Sequence, residues 1–320
     1  MENINNLDLS DAKEVFQVVY GRLPTQSELD YLASLPTFHN RLGPVALFRA
    51  IVNGFDHQQL HTPFTIRFSS DDVEFVSIAG VEIGIDRTDI TVGVPLRSGV
   101  YEPHVTKFYS QMLKPGMTFV DVGANIGIYS LLGAKLVGDS GRVLSFEPNS
   151  ENCRLLMLSA LRNNFQNISI YPFALGESIG HVLFSNAIGS NGCLIPDTQE
   201  SLFNTSCMVV PKIRLDDVLD TNVDMIKIDV EGAEGVIVKG ANQLIENCRP
   251  IITSEFSMEM LPRVSGMSGI DYLRYFTNQG YGIFLIEPHS QEPVPIPDIY
   301  SFVNEYGEPT RIENLAFFPE

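Results

Sequence analysis

The stretch Phe119-Val-Asp-Val-Gly-Ala-Asn-Ile-Gly127 passes from an apolar strand pattern through a glycine-bearing turn into a helical pattern. Parallel α/β sheets form ligand crevices at such points, beyond the carboxyl ends of their strands, where a tight turn meets the positive end of the next helix. A second strand pattern, Arg142-Val-Leu-Ser-Phe-Glu147, ends in an acid placed to accept hydrogen bonds from a ribose diol. Together the two segments describe a site for a nucleoside-bearing cofactor.

Glycine spacing narrows the choice of cofactor. Dinucleotide sites read G-x-G-x-x-G, the second glycine letting backbone approach a pyrophosphate. Counted from Gly123, this chain carries Asn125 at the second position and Ile128 at the third, so a pyrophosphate would meet side chains where it needs bare backbone. S-adenosylmethionine has a ribose and no phosphate, and it fits the pattern. Its methionine end carries an amine and a carboxylate, for which the Asp121 carboxylate and the turn amides are the expected partners.

Strand and helix patterns alternate through the rest of the chain. The strands expected are Thr118 to Val122, Arg142 to Glu147, Ile168 to Phe173, Met225 to Asp229, Ile251 to Glu255, Gly282 to Ile286 and Leu315 to Phe318. Several are continuous apolar runs, as strands covered on both faces must be. Helical patterns fall between the first five, notably Asn149 to Asn163 and Ala233 to Cys248, and another spans Pro103 to Leu113. The alternation predicts a doubly wound, Rossmann-like α/β sheet. The stretch from Glu287 to Pro297 is too rich in proline for regular structure and reads as a surface loop. That loop and Phe184 to Phe203 are expected at the substrate rim.

The first third of the chain differs. Residues 1–62 read as a small helical module: Val15, Phe16, Val18 and Val19 cluster, and Thr25-Gln-Ser-Glu28 is a capping box ahead of Leu29, Leu32 and Leu35 at three-residue spacing. Residues 63–98 read as a β-meander or connector, with short runs at Phe64 to Phe68, Phe75 to Ile78 and Val81 to Ile85. Residues 99–320 are left for the cofactor-binding domain.

Composition excludes some partners. The 320 residues carry a formal net charge of −18 without a run of Lys or Arg, so a phosphate backbone would be repelled and no nucleic acid is expected. A small-molecule or glycan acceptor suits that charge. The N-terminus lacks the pattern of a signal peptide, and no apolar stretch approaches the roughly 18 residues of a membrane span, which points to a cytoplasmic protein. Cys153, Cys193, Cys207 and Cys248 form no C-x-x-C pair and read as separate reduced thiols rather than a zinc or redox site.

The second informative motif is Met225-Ile-Lys-Ile-Asp-Val-Glu-Gly-Ala-Glu234, a strand that ends in Asp229 and is followed by two more carboxylates. Like charges at a strand exit are costly without partners, which marks Asp229 as functional. Glu234 falls in the first turn of the next helix, where negative charge suits the dipole. The neighbouring strand ends in Glu255. Upstream, Tyr101-Glu-Pro-His104 opens a helix, with Glu102 placed to meet a cofactor amine and His104 as a proton acceptor or a cap.

Taken in order, Asp121-Val-Gly-Ala-Asn-Ile-Gly127, Phe146-Glu-Pro148, Ala174-Leu-Gly176, Leu215-Asp-Asp217 and Ile226-Lys-Ile-Asp-Val-Glu-Gly-Ala-Glu234 resemble the FkbM family of S-adenosylmethionine-dependent methyltransferases. The likeness runs from about Tyr101 to Phe318. It implies a seven-stranded class I methyltransferase fold and methyl transfer, usually to a hydroxyl of a sugar or polyketide. Carried over by position, Gly123, Ala124, Asn125 and Gly127 shape the cofactor turn, Glu147 holds the ribose, and Pro148 and Ala174 complete the cofactor wall. Asp229, Glu231 and Glu255 face the methyl-transfer site, with Asp229 expected as the base, Glu231 or Glu255 as substitutes and His104 as an outsider. No metal ligands are assigned, although a divalent ion on the same carboxylates is a competing way to acidify a hydroxyl. Two other functions stay open from the residues alone: a nicotinamide-dependent oxidoreductase, and a non-catalytic binding module of a glycan pathway.

Overall fold

The computed structural model describes residues 72–188, 191–195, 207–219, 222–306 and 310–320. These belong to the second of two units into which the chain divides, Phe68–Glu320. The helical module expected over residues 1–62 and the run Phe64 to Phe68 lie outside the described residues.

The described chain opens with a hairpin, β1 (Val73–Ile78) and β2 (Val81–Asp86), closed by Ala79 and Gly80, both at positive φ. Two residues at positive φ form the tight turn whose twist matches paired strands. Short helices α1 (Gly93–Arg97) and α2 (Pro103–Met112) lead to β3 (Thr118–Val122). Then come α3 (Ile128–Val137), β4 (Arg142–Phe146), α4 (Ser150–Arg162) and β5 (Ile168–Tyr171). Ile83 and Ile85 of the hairpin are fully buried in one core with Leu131 of α3 and Leu156 of α4. Helix α4 starts where the Asn149 side chain accepts the Glu151 N–H at 3.0 Å.

A second, four-stranded sheet follows: β6 (Ala174–Leu175), β7 (Gly180–Ile188), β8 (Asn191–Ile195) and β9 (Cys207–Ile213), in the order β6-β9-β7-β8. Here the structure adds to the sequence reading, which expected no strand between Phe173 and Met225. The chain then returns through α5 (Leu215–Val218) to β10 (Met225–Ile228), α6 (Glu234–Gly240), α7 (Asn242–Cys248) and β11 (Ile251–Ser257). The single helix expected from Ala233 to Cys248 is therefore two, broken at Ala241, whose φ of −118° leaves the helical range. Helices α8 (Met260–Val264) and α9 (Gly269–Asn278), strands β12 (Tyr281–Leu285) and β13 (Val294–Pro295), helix α10 (Ile299–Asn304) and strand β14 (Ile312–Pro319) complete it.

The main sheet runs β13-β12-β14-β11-β10-β3-β4-β5. Strands β5, β4, β3, β10 and β11 are parallel, and β14 is antiparallel to both of its neighbours. This is a doubly wound α/β sheet of seven strands plus an eighth of two residues, which β13 adds from the proline-rich stretch expected to be irregular. All residues of β3 and β10 are buried, which explains their unbroken apolar patterns. At the other end, the Phe276 and Phe317 rings stack at 3.9 Å beside fully buried Tyr272 and Phe256, and burying each such ring is worth about 1.5–3 kcal/mol. That cluster seats β14 between β11 and β12.

Strand order reverses between β3 and β10. From β3 the chain moves outward to β4 and β5, then comes back to lay β10 on the other side of β3. Such a switch point opens a crevice at the carboxyl ends of the two strands.

Candidate active site

At that switch point lies a cleft of about 1060 Å³, part of it open to solvent. Its floor is the turn after β3. Gly123 holds φ +74°, and a Cβ there would stand 1.9 Å from the carbonyl oxygen of Asp229 at the end of β10. The Gly123 and Ala124 amides both donate to the Phe146 carbonyl at 3.0 Å, tying the turn to the end of β4. Gly127, at φ +96°, begins α3 where a Cβ would collide with Leu156 at 2.1 Å. Both glycines are thus required by close approach, and Asn125 between them adopts φ +52°, a conformation asparagine tolerates.

Glu147 closes β4 at the cleft wall and is 4% exposed. One carboxylate oxygen accepts the Asn125 N–H at 2.8 Å, and the other accepts the Asn149 N–H at 2.8 Å. Burial pushes the carboxyl up to about 7 despite those bonds. Glu234 has a similar environment at the start of α6: its Oε1 accepts the Val230 and Gly232 amides, and burial raises it to about 7. Glu234 is therefore a brace for the turn after β10, as its place in the first helical turn implied.

These two raised carboxyls make stability depend on pH. Each has an ordinary value of 4.5 and a folded value near 7, so the protonated folded form is favoured fully below about pH 4.5 and the advantage is gone above 7. The cofactor-free protein is expected to weaken as pH rises from 4.5 to 7, by up to about 3 kcal/mol per carboxyl. Urea midpoints at pH 5.5, 6.5 and 7.5 measure this, and a midpoint that climbs across the series would contradict it.

Beneath the cleft runs a buried polar row. In register across four strands stand Ser145, Asp121, Lys227 and Thr253, none more than 7% exposed. Asp121 accepts the Ser130 hydroxyl at 2.6 Å and pairs with the Lys227 ammonium at 3.3 Å. Asp121 is 0% exposed and does not line the cleft, so the expectation that it meets the cofactor amine is corrected: the pleat turns it into the row under the turn.

The sequence motif around Lys227 does not by itself reveal its part in the site. Its Nζ lies 3.2 Å from Asp229 Oδ2, donates to the Gly123 carbonyl at 3.3 Å and sits 5.6 Å over the Tyr129 ring. Burial pulls the amine down, but Asp229 and Asp121 outweigh it and hold the ammonium above the ordinary lysine range. The signal in the sequence was a lone lysine inside a four-residue apolar strand, two positions before an acid.

Asp229, Glu231, Glu255 and Glu102 all line the cleft together with Gly123, Ala124, Asn125, Glu147, Pro148 and Ala174. Burial lifts Glu231 above the usual carboxylate range, with Asp229 adding to it. Glu255 rises well above that range, from burial first and then from Asp229, Glu231 and Glu234. Glu102 caps α2 at φ +37°, accepts the Tyr129 hydroxyl at 2.5 Å and is raised by burial. Gly127 shapes the turn without lining the cleft. One further expectation is corrected by position: His104 lies outside the cleft, on a small groove with Lys107, Ile286 and Glu292. The reason for His104 is the helical pitch, which turns a residue two past Glu102 to another side of α2. Among the described residues no three His, Cys, Asp or Glu side chains are grouped to hold a metal ion, and no helix is long and apolar enough to cross a membrane.

A family model for the methyltransferase FkbM domain matches residues 121–283, which span both strand ends of the cleft and just over half of the chain. The chain belongs to that family, whose domain is of the methyltransferase type. Among solved structures, it is similar to methyltransferase FkbM from Methylobacillus flagellatus KT, at 17% identity over 67% of this chain and 50% of that one, with a TM-score of 0.40. The chain thus spans half the length of that relative. A putative rRNA methylase from Clostridium thermocellum shows 12% identity over 68% and 96% of the two chains, TM-score 0.41. An O-methyltransferase from Thermotoga maritima shows 13% over 77% and 78%, TM-score 0.37. No curated protein matches the sequence.

Proposed function

We propose that this chain transfers the methyl group of S-adenosylmethionine to a hydroxyl of a sugar, glycan or secondary metabolite. The observation that carries this reading is the placement of Asp229, Glu231 and Glu255 on one wall of a cleft whose other wall ends in Glu147. An alcohol is a poor nucleophile until a base takes its proton, and that wall supplies the base. Lys227 is the single basic residue among the described residues lining the cleft, and it is already paired with two carboxylates. A phosphate-bearing acceptor therefore finds no free cation there, whereas a neutral polyol finds several hydrogen-bond acceptors.

The residues present fit the cofactor. Gly123 brings the turn's backbone to the cleft lining, Glu147 offers carboxylate oxygens for ribose hydroxyls, and Glu102 stands for the amine. Five carboxyl groups around one ammonium also suit a sulfonium cation. Bound there, the cofactor supplies an electrophilic methyl carbon. The protein's part is to hold the acceptor oxygen about 3 Å from that carbon, to exclude water, and to take the hydroxyl proton on an Asp229 carboxylate oxygen. Lys227 is excluded as the base because its ammonium has no lone pair to offer. The same reading assigns residues 99–320 to the transferase, 63–98 to a connector, 1–62 to a separate helical module, and the reaction to the cytoplasm.

Calorimetry with S-adenosylhomocysteine, followed by transfer of labelled methyl from S-adenosylmethionine to a panel of methyl glycosides, hydroxylated aromatics and amines, tests the proposal. Label appearing only on nitrogen acceptors would overturn the hydroxyl assignment. Glu147→Ala is expected to weaken S-adenosylhomocysteine about 10- to 100-fold, from the loss of charge-assisted hydrogen bonds at about 1.5–3 kcal/mol. Parent affinity in that variant would move the ribose elsewhere.

A further inference from the structure

We propose that the second sheet is the nucleobase clamp of the cleft: the Phe184 ring on β7, seated against Gly192 of β8, packs on the adenine of S-adenosylmethionine. The inference rests on the reading of Glu147 as the ribose holder and of the acid wall as the methyl-transfer side. It starts from the order of strands along the crevice. In the main sheet β11, β10, β3, β4 and β5 lie side by side. Across the cleft lining this sets Glu255 on β11, then Asp229, Gly123, Glu147 and Phe173 beyond the carboxyl ends of the other four. Each step from strand to strand is about 4.8 Å. With the ribose at Glu147 and its sulfur-bearing arm toward Asp229, the opposite side of the sugar, which carries the base, faces β5.

That side is chemically different. The lining that the exit of β5 and the second sheet contribute is Phe173, Ala174, Leu175, Phe184 and Gly192, without a charged group, whereas the acids gather at β10 and β11. The chain enters the second sheet directly from β5: Ala174–Leu175 is its edge strand β6, and Phe184 shares one small core with Ala174 and Val210. Helix α6 fixes this root, approaching until a Cβ on Gly240 would stand 2.0 Å from the Gly176 carbonyl oxygen. The Gly176 N–H donates to the Ile213 carbonyl at 3.0 Å, which closes β6 on β9. The Ala174-Leu-Gly176 motif therefore holds the second sheet against the cleft. Phe184 lines the cleft yet is 5% exposed, so its neighbours hold the ring in place. A Cβ on Gly192 would stand 2.2 Å from the Phe184 Cζ, and a bare residue on β8 is what lets the ring lie there. A fixed, flat, apolar ring at the base end gives a purine a partner for its π-face. Phe184 is thereby assigned to the cofactor and not to the acceptor rim, where its place in the sequence puts it.

The test needs no knowledge of the acceptor. S-adenosylhomocysteine carries base, ribose and amino-acid tail, whereas methylthioadenosine keeps base and ribose and lacks the tail. Both are titrated by calorimetry into the parent chain, Phe184→Ala and Glu147→Ala. Phe184→Ala is expected to weaken the two ligands by the same factor, about 10- to 100-fold, the usual worth of a base stacked on an aromatic ring. Parent affinity for both ligands in folded Phe184→Ala would overturn the proposal and return the ring to the acceptor side. A loss confined to S-adenosylhomocysteine would overturn it too, by placing the ring at the amino-acid tail. Should Phe184→Ala fail to fold, Phe184→Trp decides. The chain contains no tryptophan, so that variant adds a single indole. Its emission is expected to be quenched as S-adenosylhomocysteine fills the site, and unchanged emission at calorimetric saturation counts against the clamp. The cofactor reading fails differently. A parent that binds neither ligand, or parent affinity in Glu147→Ala, removes that reading and this inference with it, whereas weakened Glu147→Ala beside unaffected Phe184→Ala removes the clamp alone.

Discussion

Asp229→Asn is expected to bind S-adenosylhomocysteine about as tightly as the parent and to transfer methyl groups about 10²- to 10⁴-fold more slowly, the usual worth of a positioned base. Asparagine has the same shape but no charge, and its amide does not accept a proton from an alcohol. The position is forgiving structurally, because the side chain is 41% exposed and Lys227 keeps its pairing with Asp121. The loss should therefore fall on kcat and leave KM for the cofactor near its parent value. Glu231 and Glu255 lie on the same cleft wall, but both are already pushed toward the protonated form by burial. Raising pH should ionise them and restore part of the lost rate. Full activity in Asp229→Asn at pH 7 would end its role.

Gly123→Ala is the second large effect, and it acts on the site's shape. The new methyl group would lie 1.9 Å from the Asp229 carbonyl oxygen and 2.9 Å from its carbon, both backbone atoms that move only if β10 moves. The φ of +74° adds strain for any side chain. Strain at such a position costs about 1–3 kcal/mol, and forced overpacking costs about 1–3 kcal/mol more. The cleft floor and its acid wall meet at this contact, so S-adenosylhomocysteine binding should fall beyond about 100-fold as well. Gly138→Ala is the control: φ is +65° there too, but nothing lies within 4 Å, so only strain applies. Urea unfolding of the two variants separates the terms. Equal, small losses in both would show that the crowding at Gly123 is relieved without consequence.

The main sheet was legible because its strands are buried on both faces. Thr118–Val122 and Met225–Ile228 have every residue covered, and such segments must be continuous apolar runs. The cleft's acids were legible for the opposite reason, since Glu147, Asp229 and Glu255 interrupt apolar strands at their carboxyl ends. The second sheet was not. Its strands pair across gaps in sequence, β6 with β9 and β7 with β9, and β9 contains Pro211, a residue that argues against a strand when read locally. Asp121 was misplaced because a motif gives position along the chain but not pleat, and only the register with Ser145 and Lys227 shows which way it faces. His104 was misplaced for the analogous helical reason. Lys227 escaped because its buried partner Asp121 comes from another strand, a pairing that only the register shows, although the acid two positions on was visible in the motif.

The two-residue strand β13 has a consequence for how the molecule meets its own copies. A sheet grows by adding strands to an edge that offers a regular file of N–H and C=O groups. Here the edge beyond β12 is occupied by Val294–Pro295, in a stretch with prolines at 293, 295 and 297, and the Ile296 amide is spent on the Ile283 carbonyl at 2.8 Å. Three missing amides in five residues leave an incoming strand with no ladder to extend. Strand addition is thereby disfavoured at the part of the edge that β13 covers, beside Phe284 and Leu285.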